Sequence, residues 1–281
     1  MTGRERSFLL LLVLVWVPGL RILGETWSRV EHASHGFLVP LVAVWAATGH
    51  RAALARLPSA PPAWGPWLLA GCLLAYLPAL TLRDPTWLGV VAVATVTSAV
   101  LALRGVEWAR TLRFPLAYLA FAVPLPPGWV TPLIVELQLL VSSVGVRLLQ
   151  ALGVAVHREG NVLWLPGGDS LFVAEACSGI TSLVTLMPIG VFIAYFVDHV
   201  AWRRAFIVLS VLPIALATNL LRVVFTVVLA IEVGPAFAAE GPPHEWAGVG
   251  TYLIGCAGLI MVSLLIKRFG SGGPTSDSKA G

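Results

Sequence analysis

Residues 205–230 read AFIVLSVLPIALATNLLRVVFTVVLA, an apolar run that carries a single charge, Arg222. A helix of about 20 such residues is long enough to cross the ~30 Å hydrocarbon core of a bilayer. The rest of the 281-residue chain has the same character, since 58% of it is hydrophobic, 11% is charged and its mean hydropathy is +0.87. Soluble domains average about 25% charged residues. The composition therefore excludes a soluble globular enzyme and indicates a membrane protein.

Apolar runs of this kind recur along the chain and predict an all-α polytopic protein, an eight-transmembrane-helix bundle. With the N-terminus in the cytoplasm, most of the 18 Lys and Arg residues fall on the cytoplasmic side, as the positive-inside rule requires, so both termini are expected there. The second and fifth predicted spans are short. The approximate limits are 7–24, 36–49, 64–82, 86–103, 113–126, 171–197, 205–230 and 247–266.

The segment 128–156 is also apolar, but counting it as a ninth span would reverse every later segment and move the Arg203-Arg204 pair outside. We predict a re-entrant or interfacial helix here, followed by an extracytoplasmic hairpin around residues 159–161 and 167–168. Residues 1–269 are expected to form one transmembrane catalytic domain. The Gly/Ser-rich segment 270–281 is expected to be a disordered cytoplasmic tail.

The distribution of charged residues, cysteines and histidines argues against a nucleic-acid partner, a disulfide framework and a metal site. The net charge of +4 comes from scattered basic residues rather than a basic face, so no nucleic-acid partner is predicted. Three separated cysteines without a CxxC motif indicate neither a disulfide framework nor structural zinc. His32 and His35 have ligand-like spacing but no third ligand, so an external loop or a substrate contact is favoured over a metal site. No cofactor is predicted.

Three polar residues are not explained by hydrophobicity: Cys177, Arg222 and His244. Counted along the predicted helices, Cys177 lies roughly 9 Å and Arg222 roughly 12 Å below the outer surface. His244, in the predicted loop between the last two spans, can fold over that level. Each also has an ordinary interpretation, as a small buried cysteine, a snorkelling or paired arginine, and a loop histidine. Their shared depth is what favours a common site.

The neighbours of these residues suit a reactive thiol. Glu175 and Ser178 flank Cys177 at a predicted helix start, where free N–H groups and the helix dipole lower a thiol pKa. Asn219 is placed to hydrogen-bond across helices or to orient Arg222. Because arginine is permanently charged, Arg222 is suited to stabilising an anion and not to acting as a base.

The chain resembles the exosortases, within the exosortase/archaeosortase group of polytopic membrane cysteine transpeptidases. The resemblance covers roughly residues 30 to 266. It is carried by SHGFLVPL at 34–41, RFP at 113–115, PLP at 124–126, REGN at 158–161, LP at 165–166, EACSGI at 175–180, NLLRV at 219–223 and the His244 loop.

The resemblance implies that Cys177 is the nucleophile, with Arg222 and His244 as its partners. It implies a site near the extracytoplasmic face of a prokaryotic inner membrane. The implied substrates are exported proteins with a C-terminal sorting signal, made of a motif such as Pro-Glu-Pro, a transmembrane helix and a basic tail. Transfer to an exopolysaccharide or another cell-surface acceptor would follow, with membrane lipid as the surroundings. The expected supporting residues are Glu175, Ser178, Asn219, Glu245 and His35.

Two other classes of function remain open at this point. Arg222 and His244 could line the anion path of a transporter or channel, which is a common role of charge inside a membrane. Alternatively, the protein could be a noncatalytic scaffold of an export system. Substitution of Cys177 separates these possibilities, because only the cysteine mechanism requires the thiol.

Overall fold

The computed structural model describes residues 3–172 and 180–270, and it forms two compact units. The N-terminal unit comprises Met1–Trp129 and the C-terminal unit Val130–Gly281. The chain is predominantly helical, as predicted for a polytopic all-α membrane protein. Each unit is built from helices whose outer faces expose large apolar side chains, as a lipid surrounding favours.

The N-terminal unit contains three long helices connected by shorter ones. The long helices are α1 (Gly3–Arg29), α4 (Gly65–Leu82) and α5 (Pro85–Arg104). The shorter elements are the 3-10 helix η1 (Glu31–Phe37), α2 (Leu38–Thr48), α3 (Arg51–Leu54), α6 (Val106–Thr111), α7 (Arg113–Tyr118) and the 3-10 helix η2 (Leu119–Ala122).

Hydrogen bonds define the two ends of this unit. At one end, the Glu5 carboxylate pairs with the Arg104 guanidinium at 2.9 Å, and the Ala60 N–H donates to the Arg104 carbonyl at 3.2 Å. At the other end, the Trp27 Nε1–H donates to the carbonyl of Ala122 at 3.0 Å. The first end therefore contains the start of α1, the residues before α4 and the end of α5. The second end contains η2 and the end of α1.

Two predicted spans differ from the observed elements. Over 36–49 the 3-10 helix η1 ends at Phe37 and α2 continues directly from it to Thr48, whereas over 113–126 the six-residue α7 is followed by η2, which ends at Ala122. The α-helices α2 and α7 are about 16 Å and 9 Å long, too short to span a bilayer by themselves. Prolines explain the second case, because Pro124, Pro126 and Pro127 prevent the helix from continuing.

The chain nevertheless passes between the two ends of the unit in both regions. His35 in η1 hydrogen-bonds to the Phe121 carbonyl at 2.9 Å, which places η1 at the second end with η2, whereas Ala60 lies at the first end. Residues 106–122 make the return passage, from the end of α5 to η2. The predicted alternation of direction thus holds within this unit, although the helices that carry it are short.

The C-terminal unit combines four long helices with a small sheet. The elements are α8 (Pro127–Ala151), β1 (His157–Glu159), β2 (Val162–Trp164), β3 (Ser170–Phe172), α9 (Ile180–Val197), α10 (Ala201–Val233), α11 (Pro235–Glu240) and α12 (Pro242–Gly270). Helix α10, with 33 residues and a length of about 50 Å, is the longest and contains Arg222.

Helices α9, α10 and α12 pack side by side. They follow one another along the chain, with only the short α11 between α10 and α12. A side chain at Gly190 of α9 would collide with Val211 of α10, so these two residues mark one level of the antiparallel pair. Ten residues earlier in α9, Ile180 is therefore level with about residue 221 of α10. Helix α12 is also antiparallel to α10, because Gly248 contacts Arg222 and Gly258 contacts Ile214. The start of α9, Arg222 and Gly248 thus share a level.

Helix α8 is long and apolar enough to span a bilayer, but its contacts run across the α9–α10 pair. Near its beginning, Ile134 packs with Ile180 at the start of α9. About 16 Å further along, Gly145 contacts Leu220 and Val223 of α10. Since Ile180 is level with about residue 221, both contacts lie near one level. This arrangement favours the predicted interfacial helix over a span parallel to α10.

By length and hydropathy, seven helices in the described ranges 3–172 and 180–270 are candidate spans. They are Gly3–Arg29, Gly65–Leu82, Pro85–Arg104, Pro127–Ala151, Ile180–Val197, Ala201–Val233 and Trp246–Arg268. This set contains α8 and lacks the two short predicted spans. The predicted total of eight and the cytoplasmic position of both termini stay predictions. The predicted tail falls outside the described residues except for Gly270, which ends α12.

The predicted hairpin is present as a three-stranded antiparallel sheet in the order β1-β2-β3. Gly160, with a positive φ, and Asn161 form the turn between Glu159 and Val162, which are paired across the strands. Leu163, Leu165 and Leu171 are buried in a core that also contains residues of α8, α10 and α11. Because β3 includes residues 171 and 172, the predicted start of the sixth span at 171 is wrong.

Candidate functional site

Arg222 lies in the middle of the C-terminal unit with its side chain enclosed. Only 9% of the residue is exposed. Its Nη2 atom lies 3.2 Å from the position that a Cβ on Gly248 would occupy, so the guanidinium rests against the backbone of α12. One turn later in α10, the Thr226 hydroxyl donates to the Arg222 carbonyl at 2.9 Å. The arginine therefore faces α12 and not the lipid side of α10.

One face of α12 packs on the neighbouring helices. This face is formed by Gly248, Thr251, Gly255 and Leu259. Position 244 is four residues before Gly248, and positions four apart in a helix lie on the same face, one turn apart. The sequence prediction of a loop is wrong here, because α12 begins at Pro242, a position where proline is favoured. The side chains of His244 and Glu245 lie outside the described part of the structure.

The segment that contains Cys177 is bracketed by two described elements. Strand β3 ends at Phe172 and α9 begins at Ile180, while residues 173–179 lie outside the described residues. The predicted site residues Glu175, Cys177 and Ser178 fall in this gap. The helical depth calculated for Cys177 assumed a helix from residue 171, and the strand at that position removes its basis.

Asn219 is fully buried and lies one turn before Arg222 on α10. With Thr218 and Thr226, these residues form a polar stripe along α10, a face that hydrophobicity alone would not bury. The stripe was predicted only in part, through Arg222 and Asn219. The two threonines were missed because their hydroxyls can bond to the carbonyls of their own helix, as the Thr218 hydroxyl does to Ile214 at 3.0 Å.

A second polar contact, missed by sequence reasoning, joins α8 to the hairpin. The Asn161 side-chain amide donates to Gln138 Oε1 at 2.9 Å, and Gln138 is buried. Ser142, fully buried one turn along α8, donates to the Gln138 carbonyl at 2.6 Å. The signal was a glutamine inside an apolar run, since a buried polar side chain in such a run requires a partner. This contact holds the turn of the hairpin against α8.

His35 belongs to the N-terminal unit and is described within that unit alone. Its Nε2–H donates to the Phe121 carbonyl at 2.9 Å. Burial is the largest influence on the imidazole and lowers its pKa below the ordinary value, and the hydrogen bond to Phe121 offsets part of that effect. The adjacent Gly36 lies on the Trp27 ring, where a side chain would collide. His35 thus joins η1 to η2 through this hydrogen bond, and burial favours the neutral form of its ring.

The match to known proteins comes from a family model. The model of the transmembrane exosortases (Exosortase_EpsH) matches residues 27–261. The chain belongs to this family. The matched range of this exosortase begins at Trp27, at the end of α1, and ends within α12, so it includes Cys177, Arg222 and His244. No curated protein and no solved structure matches the chain.

In this exosortase, the described part of the site is suited to stabilising negative charge. The guanidinium of Arg222 is always protonated and carries up to five N–H donors. Enclosure between α10 and α12 reduces its contact with water, which strengthens its interaction with a neighbouring anion. A fixed cation in such a position can stabilise a thiolate or the oxyanion of an acyl-transfer intermediate.

Proposed function

We propose that this exosortase is a membrane-embedded cysteine endopeptidase and transpeptidase. It cleaves C-terminal sorting signals of the PEP-CTERM kind from exported proteins, through an acyl-enzyme on Cys177, and transfers the product to a cell-surface acceptor such as an exopolysaccharide. The observation that supports this proposal best is the enclosed Arg222 guanidinium, which lies against Gly248 and one helical turn from position 244.

Chain connectivity supports the inclusion of Cys177. Three peptide units separate it from Ile180, so their Cα atoms are no more than about 11 Å apart. Ile180 is level with Arg222 through the pairing of Gly190 with Val211. This limit is compatible with a thiol at the level of the guanidinium, and we propose that Cys177 lies there.

The proposed chemistry assigns one role to each residue. His244 accepts the thiol proton of Cys177, and the thiolate attacks the scissile carbonyl. Arg222 stabilises first the thiolate and then the oxyanion. As the oxyanion collapses, the C–N bond breaks and protonated His244 donates its proton to the departing amine, leaving a thioester on Cys177.

The second half-reaction releases the thioester. An amine or hydroxyl acceptor loses a proton to His244 and attacks the thioester carbonyl, and the Cys177 thiolate leaves and is reprotonated. Water in the same role gives hydrolysis. Glu175, Ser178, Asn219 and Glu245 are proposed to support substrate binding or the orientation of these groups.

The proposed substrate geometry follows from the bilayer. A sorting helix beside α9, α10 and α12 would present the peptide bond that precedes it near the outer membrane surface. Its basic tail would stay in the cytoplasm under the positive-inside bias. We therefore propose a prokaryotic cytoplasmic membrane location, with the active site near the extracytoplasmic face.

The test is to follow processing of a substrate that ends in a sorting signal while Cys177 is replaced. We expect Cys177→Ala to abolish processing, and Cys177→Ser to lower it strongly because a serine hydroxyl ionises far less readily than a thiol. Cys72→Ala is the matched control, since Cys72 is a half-buried cysteine elsewhere in the chain. Retained processing in both Cys177 variants would refute the cysteine mechanism.

A further inference from the structure

A cleft lies between the ends of α1 and α4 in the N-terminal unit, at the end opposite the Glu5–Arg104 ion pair. Its volume is about 650 Å³. Two arginines, Arg21 and Arg83, line it together with Glu25 and Thr81. The remaining wall is apolar and consists of Val17, Pro18, Ile22 and Leu80. The cleft thus has a cationic part and an apolar part.

The backbone at Arg83 is unusual. Its φ of 53° makes it the one non-glycine residue with a positive φ within residues 3–172 and 180–270. Arg83 follows the last residue of α4, where its N–H donates to the Leu80 carbonyl at 3.2 Å. Glycine or asparagine usually occupies this position, because a Cβ is strained in the left-handed conformation. Backbone strain of this kind clusters at functional sites, which points to a function for the Arg83 side chain.

The charges in the cleft leave an excess of one positive charge. Arg21 pairs with Glu25 at 3.1 Å, one turn apart on α1. In the described parts of the chain, no carboxylate forms an ion pair with Arg83. Guanidinium groups bind phosphate through paired hydrogen bonds. The cleft is therefore complementary to a phosphate group.

The surroundings identify the kind of molecule that would carry this phosphate. Leu82, beside Arg83, is 77% exposed, and Leu77 and Leu20 are also exposed apolar residues near the cleft, as expected for a lipid-facing surface. Arg21 is about 24 Å along α1 from Glu5, which puts both arginines close to one boundary of a ~30 Å hydrocarbon core. A ligand here would meet water and headgroups on one side and acyl chains on the other.

We propose that this cleft binds the headgroup of an anionic phospholipid. The phosphate lies between Arg21 and Arg83, and an acyl chain follows the apolar wall formed by Val17, Pro18 and Leu80. The binding site is separate from the proposed catalysis and does not depend on it. The strain at Arg83 is then the cost of placing a guanidinium where glycine would be preferred.

The test measures lipid binding to the full-length protein in detergent by native mass spectrometry. Phosphatidylglycerol is the anionic probe and phosphatidylcholine is the zwitterionic probe. Inorganic phosphate tests whether the phosphate charge binds without a lipid. We expect Arg83→Gly to weaken phosphatidylglycerol binding about tenfold, as loss of a charge-assisted pair of hydrogen bonds predicts. The same variant should raise the melting temperature of the lipid-free protein, because glycine removes the strain.

The control is Arg29→Gln, which removes an exposed cation near the same end of α1 but outside the cleft. It should leave phosphatidylglycerol binding unchanged, whereas Arg21→Gln should weaken it. Equal binding by Arg83→Gly and the unmodified protein would overturn the proposal, as would equal losses in Arg29→Gln and Arg83→Gly. Phosphatidylcholine binding as tight as phosphatidylglycerol binding, or full competition by inorganic phosphate, would also overturn it.

Discussion

Gly248 gives the Arg222 guanidinium the room it needs. A Cβ at this position would lie 3.2 Å from Nη2, so an alanine would push the guanidinium away from its place beside α12. The guanidinium would have to move by a few tenths of an ångström. Because a displacement of about 1 Å in a catalytic group can cost roughly 10²-fold in rate, we expect Gly248→Ala to reduce processing of a sorting-signal substrate by several-fold. The protein should stay folded, since alanine favours a helix more than glycine does.

Gly250→Ala is the matched control for this prediction. It makes the same change in the same helix, but no atom lies within 4 Å of the new Cβ. Processing should be unchanged, and the free energy of unfolding should stay equal or rise by up to about 1 kcal/mol. If the two alanine variants process substrate equally well, the position of Arg222 against α12 has no part in the reaction.

Among the helices, α8 shows what hydropathy can and cannot predict. Its 25 residues satisfy the length and hydropathy of a span, but its exposed surface includes Glu136 near the middle. A charge facing lipid at the centre of a span costs about 2.5 to 3.5 kcal/mol. Together with its contacts across α9 and α10, this exposure favours an interfacial helix.

The orientation of α8 can be measured with single cysteines in a protein that lacks the three native ones. Gly128 and Arg147 are both exposed and lie about 28 Å apart along the helix. For an interfacial helix, Gly128→Cys and Arg147→Cys should react with a membrane-impermeant maleimide from the same side of the membrane. Labelling from opposite sides would mean that α8 spans the bilayer.

The long apolar helices could be predicted from the sequence because lipid requires about 20 continuous apolar residues for each helical crossing. The elements that differ from this expectation depend on local interruptions of a helix and on packing. The prolines at 124, 126 and 127 end one predicted span early, and the start of α12 at Pro242 converts a predicted loop into helix. Arg222 and Asn219 were recognisable as polar residues in an apolar run, but their relation to Gly248 depends on the register between α10 and α12, which no local pattern encodes.

At the scale of the whole molecule, the distribution of basic residues predicts which end of the N-terminal unit faces the cytoplasm. Arg51, Arg56, Arg104 and Arg110 belong to the end of the N-terminal unit that contains Glu5, and Arg29 and Arg83 belong to the opposite end. The more basic end is expected in the cytoplasm. This orientation requires residues 31–60 to return through the membrane, although α2 is only 11 residues long.

Reporter fusions test this return passage directly. A phosphatase that is active only outside the cytoplasm, and a fluorescent protein that is active only inside, can each be joined after Arg29, Arg56, Arg110 and Pro126. We expect cytoplasmic signals after Arg56 and Arg110 and external signals after Arg29 and Pro126, because the contacts of η1 with η2 and of Ala60 with Arg104 separate these pairs. If Arg29 and Arg56 report the same side, the segment from η1 to α3 does not cross the membrane, and the N-terminal unit contributes four crossings at most.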